Sequence, residues 1–443
     1  MQPLKTNIYL KIFIITGIGM LLLIPATLIR ELIYERENTQ NQAISEVSAK
    51  WAYEQTLSGP FVSIPYVKYL KEYVSKDSTE KILQVKDFIH ILPEELTISG
   101  QIQPEKRNRG IYEIVVYNSV IHVSGKFTME DLAELDIPEN TIQFDKARLT
   151  TGINDLRGIE EQISLTWNGG QSSFNPGVIS NQVVTSGINA PVNIGPDKTT
   201  TYAFSFDLNL KGSQLLYFTP VGKTTSVTIH SSWQNPSFNG AFLPDTRTVS
   251  DTGFTAHWNV LHLNRNYPQI WKGSGGYALA ESSFGINLLL PVDNYQKSYR
   301  SVRYAILFIG FTFLAFFFIE VLNRIFIHPV QYILVGIALV VFFVLLLSIS
   351  EHIPFNLAFI ISATATLLLI AGYVKAILKS GRLTGLISGI LLILYSFIFV
   401  VIQLQDLALL IGSIGIFIIL GIVMYLSRQI DWYNLNIKDK AGS

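Results

Sequence analysis

Six stretches of this chain are long and apolar enough to cross a bilayer, and their placement is lopsided. One occupies residues 12–29; the other five crowd the last third, at 304–322, 330–349, 355–374, 383–402 and 407–426. Each has 18 to 20 residues, and an α-helix rising about 1.5 Å per residue needs about 20 to cover a hydrocarbon core of about 30 Å. Inside that core the backbone has no water to bond, so each stretch has to be helical. Between the first and second stretches lies a polar segment of more than 250 residues. A chain that is 49% hydrophobic but only 15% charged is too apolar for an ordinary soluble domain and too polar to lie wholly in lipid. The expected fold class is an α+β membrane protein: six transmembrane helices, one N-terminal and five C-terminal, around a large inserted all-β, sandwich-like extracytoplasmic domain. Its parts are expected at 1–42 (cytoplasmic tip, first helix and stalk), 43–299 (β-rich domain), 300–427 (five-helix bundle) and 428–443 (cytoplasmic tail).

Charge on the short loops sets an orientation. Arg324 lies between the second and third helices, Lys375, Lys379 and Arg382 between the fourth and fifth, and Arg428, Lys438 and Lys440 follow the sixth. The alternate loops, around Glu351 and Asp406, contain no Lys or Arg. Basic loops stay in the cytoplasm, so both termini are expected inside and residues of about 30–300 outside. The first stretch has Lys5 and Lys11 before it, but no small-x-small site follows; the chain continues PATLIRELIYERE, as an uncleaved anchor would.

The inserted segment alternates with the period of a half-buried strand. In TYAFSFDLNL, Tyr202, Phe204, Phe206, Leu208 and Leu210 share one face; in FTAHWNVLHL, Phe254, Ala256, Trp258 and Val260 do. Turn chemistry such as NGG, NPG, GPD and LPD punctuates these runs. An antiparallel β-sandwich is expected, or two joined through the Gly-, Asn- and Pro-rich stretch 167–200.

Zero net charge gives no reason to expect a nucleic-acid partner, and the absence of cysteine removes disulfides, thiolate catalysis and cysteine-ligated metals. The seven histidines, at 90, 122, 230, 257, 262, 328 and 352, form no HExxH; His257 and His262, an odd spacing apart, face opposite sides of a strand. No GxSxG or P-loop pattern occurs. No enzymatic activity, cofactor or metal is expected. Two polar clusters flank apolar runs and become candidates because ionisable groups beside hydrocarbon are costly. In the first, Glu320 and Arg324 form an i,i+4 pair at a helix end with His328 beyond, read first as an interfacial ion pair and second as a coupling site. In the second, SEHIPFN at 350–356, Glu351 and His352 occupy a wet turn, Pro354 opens the next helix, and Asn356 bonds to another helix. The turn reading leads, with docking as the functional alternative.

Several long strings, among them WAYEQTLSGP (51–60), LPEELTISGQIQPEKRNRGIYEIVVYNS (92–119), FLPDTRTVSDTGFTAHWNVLHLNRNYPQIW (242–271), PVDNYQKSYR (291–300) and SEHIPFNLAF (350–359), resemble the CreD family of bacterial inner-membrane proteins. The resemblance implies one N-terminal span, a periplasmic domain, a C-terminal cluster of spans in the inner membrane and a role in cell-envelope integrity linked to envelope stress. It brings no catalytic residues. Arg157, Arg247, Trp258, Arg265 and Trp271 of the β-segment stay open between architecture and a binding surface. Apart from the lipid bilayer, the expected partners are periplasmic or inner-membrane envelope proteins. The leading function is non-enzymatic support of the envelope through partner or ligand binding. The alternative is a transporter or lipid-handling protein that uses the helix bundle; a glycan hydrolase ranks last.

Overall fold

The computed structural model describes residues 8–73, 80–129, 132, 135–197, 199–288, 294–323, 325–404, 407–428 and 430. The chain divides into two compact units, Met1–Asn41 with Val292–Ser443, and Gln42–Pro291.

The first unit is helical. Helix α1 (Ile8–Leu21) passes through a one-residue turn at Leu22 into α2 (Leu23–Trp51), so the N-terminal helix runs well past the apolar stretch that begins it. After the β-unit come α3 (Asn294–Arg303), α4 (Ala305–Leu322), α5 (Pro329–Ser350), α6 (Phe355–Leu378), α7 (Gly381–Gln403) and α8 (Ala408–Ser427). Among the described residues six helices are long and apolar enough to span a membrane, one N-terminal and five C-terminal, as the hydropathy requires. Their ends are written locally. His328 accepts from Val330 N–H while Gln331 reaches back to His328 N–H, with Pro329 at the first helical position of α5. Ser380 caps α7 by accepting from Leu383 N–H, and Lys379 closes α6 with φ of 45°. Short α3, which hydropathy alone does not reveal, buries Tyr295, Ser298, Ser301 and Val302, the i, i+3, i+6, i+7 pattern of one helix face. The bundle core is aromatic: Tyr395 of α7 lies 4.7 Å from Phe308 of α4 and 4.9 Å from Phe342 of α5, ring to ring.

Among its described residues the second unit holds seventeen strands: β1 (Gln55–Tyr73), β2 (Glu80–Ile91), β3 (Glu95–Arg109), β4 (Tyr112–Thr128), β5 (Arg148–Ile153) and β6 (Ser164–Trp167). Next come β7 (Gly170–Ser173), β8 (Asn175–Pro176), β9 (Gly187–Pro191), β10 (Thr201–Ser213), β11 (Leu215–Thr219) and β12 (Thr224–Ser231). The last are β13 (Pro236–Gly240), β14 (Thr246–Ser250), β15 (Gly253–Leu261), β16 (Ile270–Lys272) and β17 (Phe284–Leu288). They form a nine-stranded sheet with the path β13-β17-β11-β1-β5-β9-β8, to which β2 and β16 attach beyond β1, and an eight-stranded sheet ordered β14-β15-β12-β3-β4-β10-β6-β7. One cluster of buried side chains draws on both sheets, including the inward faces expected of β10 and β15. The sheets are mixed, which corrects the antiparallel expectation: β1 pairs with β11 and β3 with β12 in parallel. Alternation along one strand specifies its faces but carries nothing about which strand lies beside it. The stretch 167–200, offered above as a connection, contributes strands to both sheets, β7 to the eight-stranded one and β8 and β9 to the nine-stranded one. His262 leaves the strand register altogether, sitting in a short 3-10 turn after β15.

Within this unit the last turns of α2 are tied down by charge. Arg157 donates to the Ala49 carbonyl at 2.7 Å and pairs with Asp155 at 2.7 Å, and Glu46 pairs with Arg109 at 3.0 Å. A guanidinium at a helix C-terminus meets the negative end of the dipole. Hydrogen bonds from Arg157, set against partial burial, hold the Asp155 carboxyl down at about 2.

Trp258 shows what holds the β-unit together. It is fully buried, lies 5.5 Å from the Phe284 ring and 5.8 Å from Phe238, and donates its Nε1–H to the Phe242 carbonyl at 3.3 Å. Trp258→Ala is expected to cost about 3–5 kcal/mol through the cavity it leaves, whereas Val120→Ala on an exposed position should stay within about 0.5 kcal/mol. Limited proteolysis and thermal unfolding of the purified protein read both; similar behaviour of the two variants would contradict the assignment.

Candidate functional site

The sharpest polar feature of the helical unit is a buried ion pair. Lys11 of α1 and Glu320 of α4 are both 6% exposed, and Lys11 Nζ donates to Glu320 Oε1. Lys11 also donates to the Ile327 carbonyl at 2.9 Å and stands 4.3 Å above the Phe326 ring. Glu320 accepts from Ile327 N–H at 3.1 Å and from the Tyr332 hydroxyl of α5 at 3.0 Å. The sequence had suggested Arg324 as the partner of Glu320. Arg324 lies outside the described residues, and the carboxylate is taken by a lysine from the other end of the chain. His328 does not join this cluster: its Nδ1 accepts from Val330 N–H at 3.2 Å and so caps α5. Both oxygens of the carboxylate are engaged. Among the described residues the cluster is a tie joining α1, α4 and α5.

Glu351 and Asn356 also act as ties. Glu351 Oε1 lies 3.6 Å from Arg36 Nε of α2 and accepts from the Tyr295 hydroxyl of α3 at 3.4 Å, while Asn294 donates to the Ser350 carbonyl at 2.7 Å. Glu351 lies in the expected turn as the C-cap of α5, and Pro354 is the N-cap of α6. His352 is exposed and donates from Nδ1 to the Ser348 carbonyl at 3.2 Å. Asn356 accepts from the Gln403 amide of α7.

In the β-unit, Arg247 lies on the fully exposed edge strand β14, its guanidinium 5.7 Å from the Phe238 ring. Arg265 is a clasp: it donates to the carbonyls of Tyr267 at 2.6 Å and Val221 at 3.2 Å and to the Gln269 side chain, and burial pulls its pKa down to about 10. The Trp271 ring lies 5.5 Å from that of His90, tilted by 42°, and this leads to a network that sequence reasoning missed. His90 Nε2 donates to Gln182 Oε1 at 3.0 Å, so in the neutral ring Nδ1 accepts from the Ser63 hydroxyl at 2.9 Å. The Gln182 amide passes the chain on to Asp87 at 3.0 Å, where Tyr66 also donates at 3.2 Å. A Ser–His pair resembles an activated nucleophile, but Ser63 is 1% and His90 0% exposed, and a neutral amide stands where an orienting carboxylate would be. No substrate reaches it. Burial pushes the Asp87 carboxyl up, yet hydrogen bonds from Gln182, Phe88 N–H and Tyr66 outweigh it and hold the group below its usual range.

A third feature needs the register to be seen at all. Across the outer face of the eight-stranded sheet, Asp207, His122, Ser99, Thr228, His257 and Thr246 stand in one row. The rows on either side read Asn209, Val120, Gln101, His230, Thr255, Thr248 and Ser205, Ser124, Thr97, Ser226, Asn259. Asp207, bonded to His122 at 2.7 Å, is the one carboxylate, and no Lys or Arg stands in the three rows. The three histidines are held by neighbours, His257 on Thr228 at 2.9 Å and His230 on Thr255 at 2.8 Å. Among the described residues no three His, Asp or Glu side chains are placed to hold a metal.

Two outcomes are expected. Removing one charge of the buried pair, as Lys11→Met or Glu320→Gln, should destabilise the detergent-solubilised protein by about 3–5 kcal/mol, and the double variant less than the sum; strict additivity in thermal melts would refute the tie. His90 is held below its ordinary 6.5 by burial. Its folded pKa lies under its unfolded one, so below about 6.5 the unfolded chain takes a proton that the folded chain refuses, and stability falls as pH drops, by at most about 1.4 kcal/mol per unit. Between pH 7.5 and 5.5 a His90→Gln variant should show a flatter dependence than the parent, and an unchanged slope would contradict it.

Solved structures offer little. The M1 zinc metallopeptidase from Deinococcus radiodurans aligns with 38% of this chain and 38% of its own at 9% identity and a TM-score of 0.20. A mutant of that enzyme bound to a Tyr-Ser-Ala substrate gives 38%, 39%, 10% and 0.19. Likeness this slight bears on neither fold nor activity. Sequence relatives are another matter. The Inner membrane protein CreD of Escherichia coli K12 is 33% identical over 443 residues, covering 99% of this chain and 97% of its own. The family model described as Inner membrane protein CreD matches residues 7–433. With six apolar helices besides, this multi-pass inner membrane protein belongs to the CreD family.

Proposed function

We propose that the protein holds its β-unit in the periplasm and supports cell-envelope integrity there by binding envelope proteins through the outer face of the eight-stranded sheet, without catalysing a reaction. The single observation that carries this reading is the composition of that face. Solvated surfaces ordinarily carry about a quarter to a third charged residues, whereas three adjacent rows here have one carboxylate, the exposed Val120, and otherwise neutral Ser, Thr, Asn, Gln and His side chains. Short neutral donors and acceptors let another backbone approach closely and cost little to desolvate compared with ions. The periplasmic placement rests on the loops, with seven basic residues on one set and none on the other. A catalytic alternative has little support: the Ser63–His90 pair is sealed, and carbonyls, carboxylates or neighbouring hydroxyls already occupy the other polar groups described above.

Arginine placed in the middle of the face, as Ser99→Arg or Thr228→Arg, should raise the sensitivity of cells to detergent as much as deleting the gene, at unchanged protein level. Arginine at exposed Thr201, towards one end of the same sheet, should leave it near normal. A photo-crosslinking residue at Gln101 should capture envelope proteins. Full function of both central variants, with no protein crosslink from Gln101, would reject the proposal.

A further inference from the structure

The geometry points to a binding slot for one acyl chain of an anionic phospholipid, between α1, α4 and α8. This goes beyond the envelope role and does not depend on it. A cavity of about 480 Å³ runs along α1 from Ile12 past Thr16 and Met20 to Leu23, with Gly310 and Phe313 of α4 on its other wall and Val423 and Ser427 of α8 closing one end. Eleven residue steps from Ile12 to Leu23 make about 16 Å, close to half of a hydrocarbon core of about 30 Å. The slot is thus one leaflet deep.

It stays open for two reasons. First, α1 is pinned at both ends of the slot. The Lys11–Glu320 tie holds it next to Ile12, and Leu22 lodges on the bare backbone of Gly336 in α5, where any Cβ would collide with its side chain. Second, the facing wall lacks a side chain at Gly310, where a Cβ would meet nothing within 4 Å. Helices fixed at two points cannot close over a gap between them. A void of this size open to hydrocarbon forfeits dispersion contacts along its whole lining unless a chain enters it. Its lining is apolar apart from the hydroxyls of Thr16 and Ser427 and the backbone, which matches an acyl chain and not a polar solute.

The head group follows from the end of the slot at Ser427. Arg428, the next residue, is exposed, lies 4.7 Å from the Tyr425 ring, and pairs with no carboxylate among the described residues. The neighbouring Lys11 is already neutralised by Glu320. A guanidinium beside an aromatic ring at the slot mouth, with no carboxylate partner among the described residues, suits a phosphate with net negative charge. Because bulk lipid is as apolar as the slot, retention draws on packing and on this charge and not on the hydrophobic effect.

The full chain, delipidated in mild detergent and supplied with dioleoyl phosphatidylglycerol or dioleoyl phosphatidylcholine, tests this by native mass spectrometry. One retained lipid per chain is expected, with phosphatidylglycerol preferred. Gly310→Leu and, from the other wall, Met20→Trp fill the slot and should abolish the adduct, while Gly372→Leu on α6, also into open space, should keep it. Arg428→Gln should keep the adduct and reduce the head-group preference about fivefold. The adduct surviving both filling variants would overturn the slot, as would a chain dimer in place of the adduct. An unchanged preference in Arg428→Gln would overturn the assignment of the head group. Thermal melts of each variant separate loss of lipid from loss of fold.

Discussion

A bilayer supplies no partner for a charge, and the helical unit is organised around that fact. Lys11 and Glu320 could exist in these positions only together, and together they still need the Ile327 backbone, Tyr332 and the Phe326 ring to be satisfied. The cost of leaving either alone is what binds the first helix of the chain to helices that follow some 300 residues later. The same demand recurs at lower stakes. Thr366 turns its hydroxyl to the Ser362 carbonyl of its own helix, and His328, Ser380 and Glu351 each serve helix ends that would otherwise carry orphan groups.

In the β-unit water is available outside and the constraint becomes one of faces. Strands such as β10 and β15 put every second side chain into the shared core, and their other residues are free to vary. Charge is then spent selectively. Arg157, Arg265, Glu46 and Arg109 hold loops and a helix end, and Arg265 accepts a lowered pKa through burial in order to reach its carbonyls. Three adjacent rows on the outer face of the eight-stranded sheet are left almost uncharged, while the next row along carries the Lys126–Glu95 pair, so charge is withdrawn from the middle of the face and not from all of it.

How much of this the sequence discloses depends on the range over which each property acts. The six spans and the inward faces of β10 and β15 are written in windows of ten to twenty residues, and they read correctly. Caps such as Ser380 are local too. What could not be read involves long separation. Glu320 has Arg324 four places on, the natural partner by helix geometry, while its described partner Lys11 is 309 residues away. The parallel pairs β1–β11 and β3–β12 join strands over 100 residues apart, and alternation is indifferent to direction. His90 looked unremarkable because Ser63 becomes its neighbour only through the register of β1 on β2, and Gln182 through a loop. The charge-poor face is the extreme case: none of its five central strands is unusual alone, and only their alignment makes the three rows.

The tie and the slot are one consequence of the same geometry. An ion pair fixes a helix at a point, and a large side chain seated on glycine fixes it at another, three turns away. Between such points the distance to the neighbouring helix is no longer adjustable, so the side chains on that stretch decide whether the space is filled. Here α4 presents Gly310 where a leucine would have closed the gap, in a helix otherwise crowded with phenylalanine. A helix interior disfavours glycine by about 1 kcal/mol relative to alanine, and close packing against another helix, its usual compensation in membranes, is absent at this residue. Gly372 on α6 faces open space as well, so what sets Gly310 apart is its place on the wall between the two fixed points of α1, where the space beside it cannot be taken up by a shift of the helices.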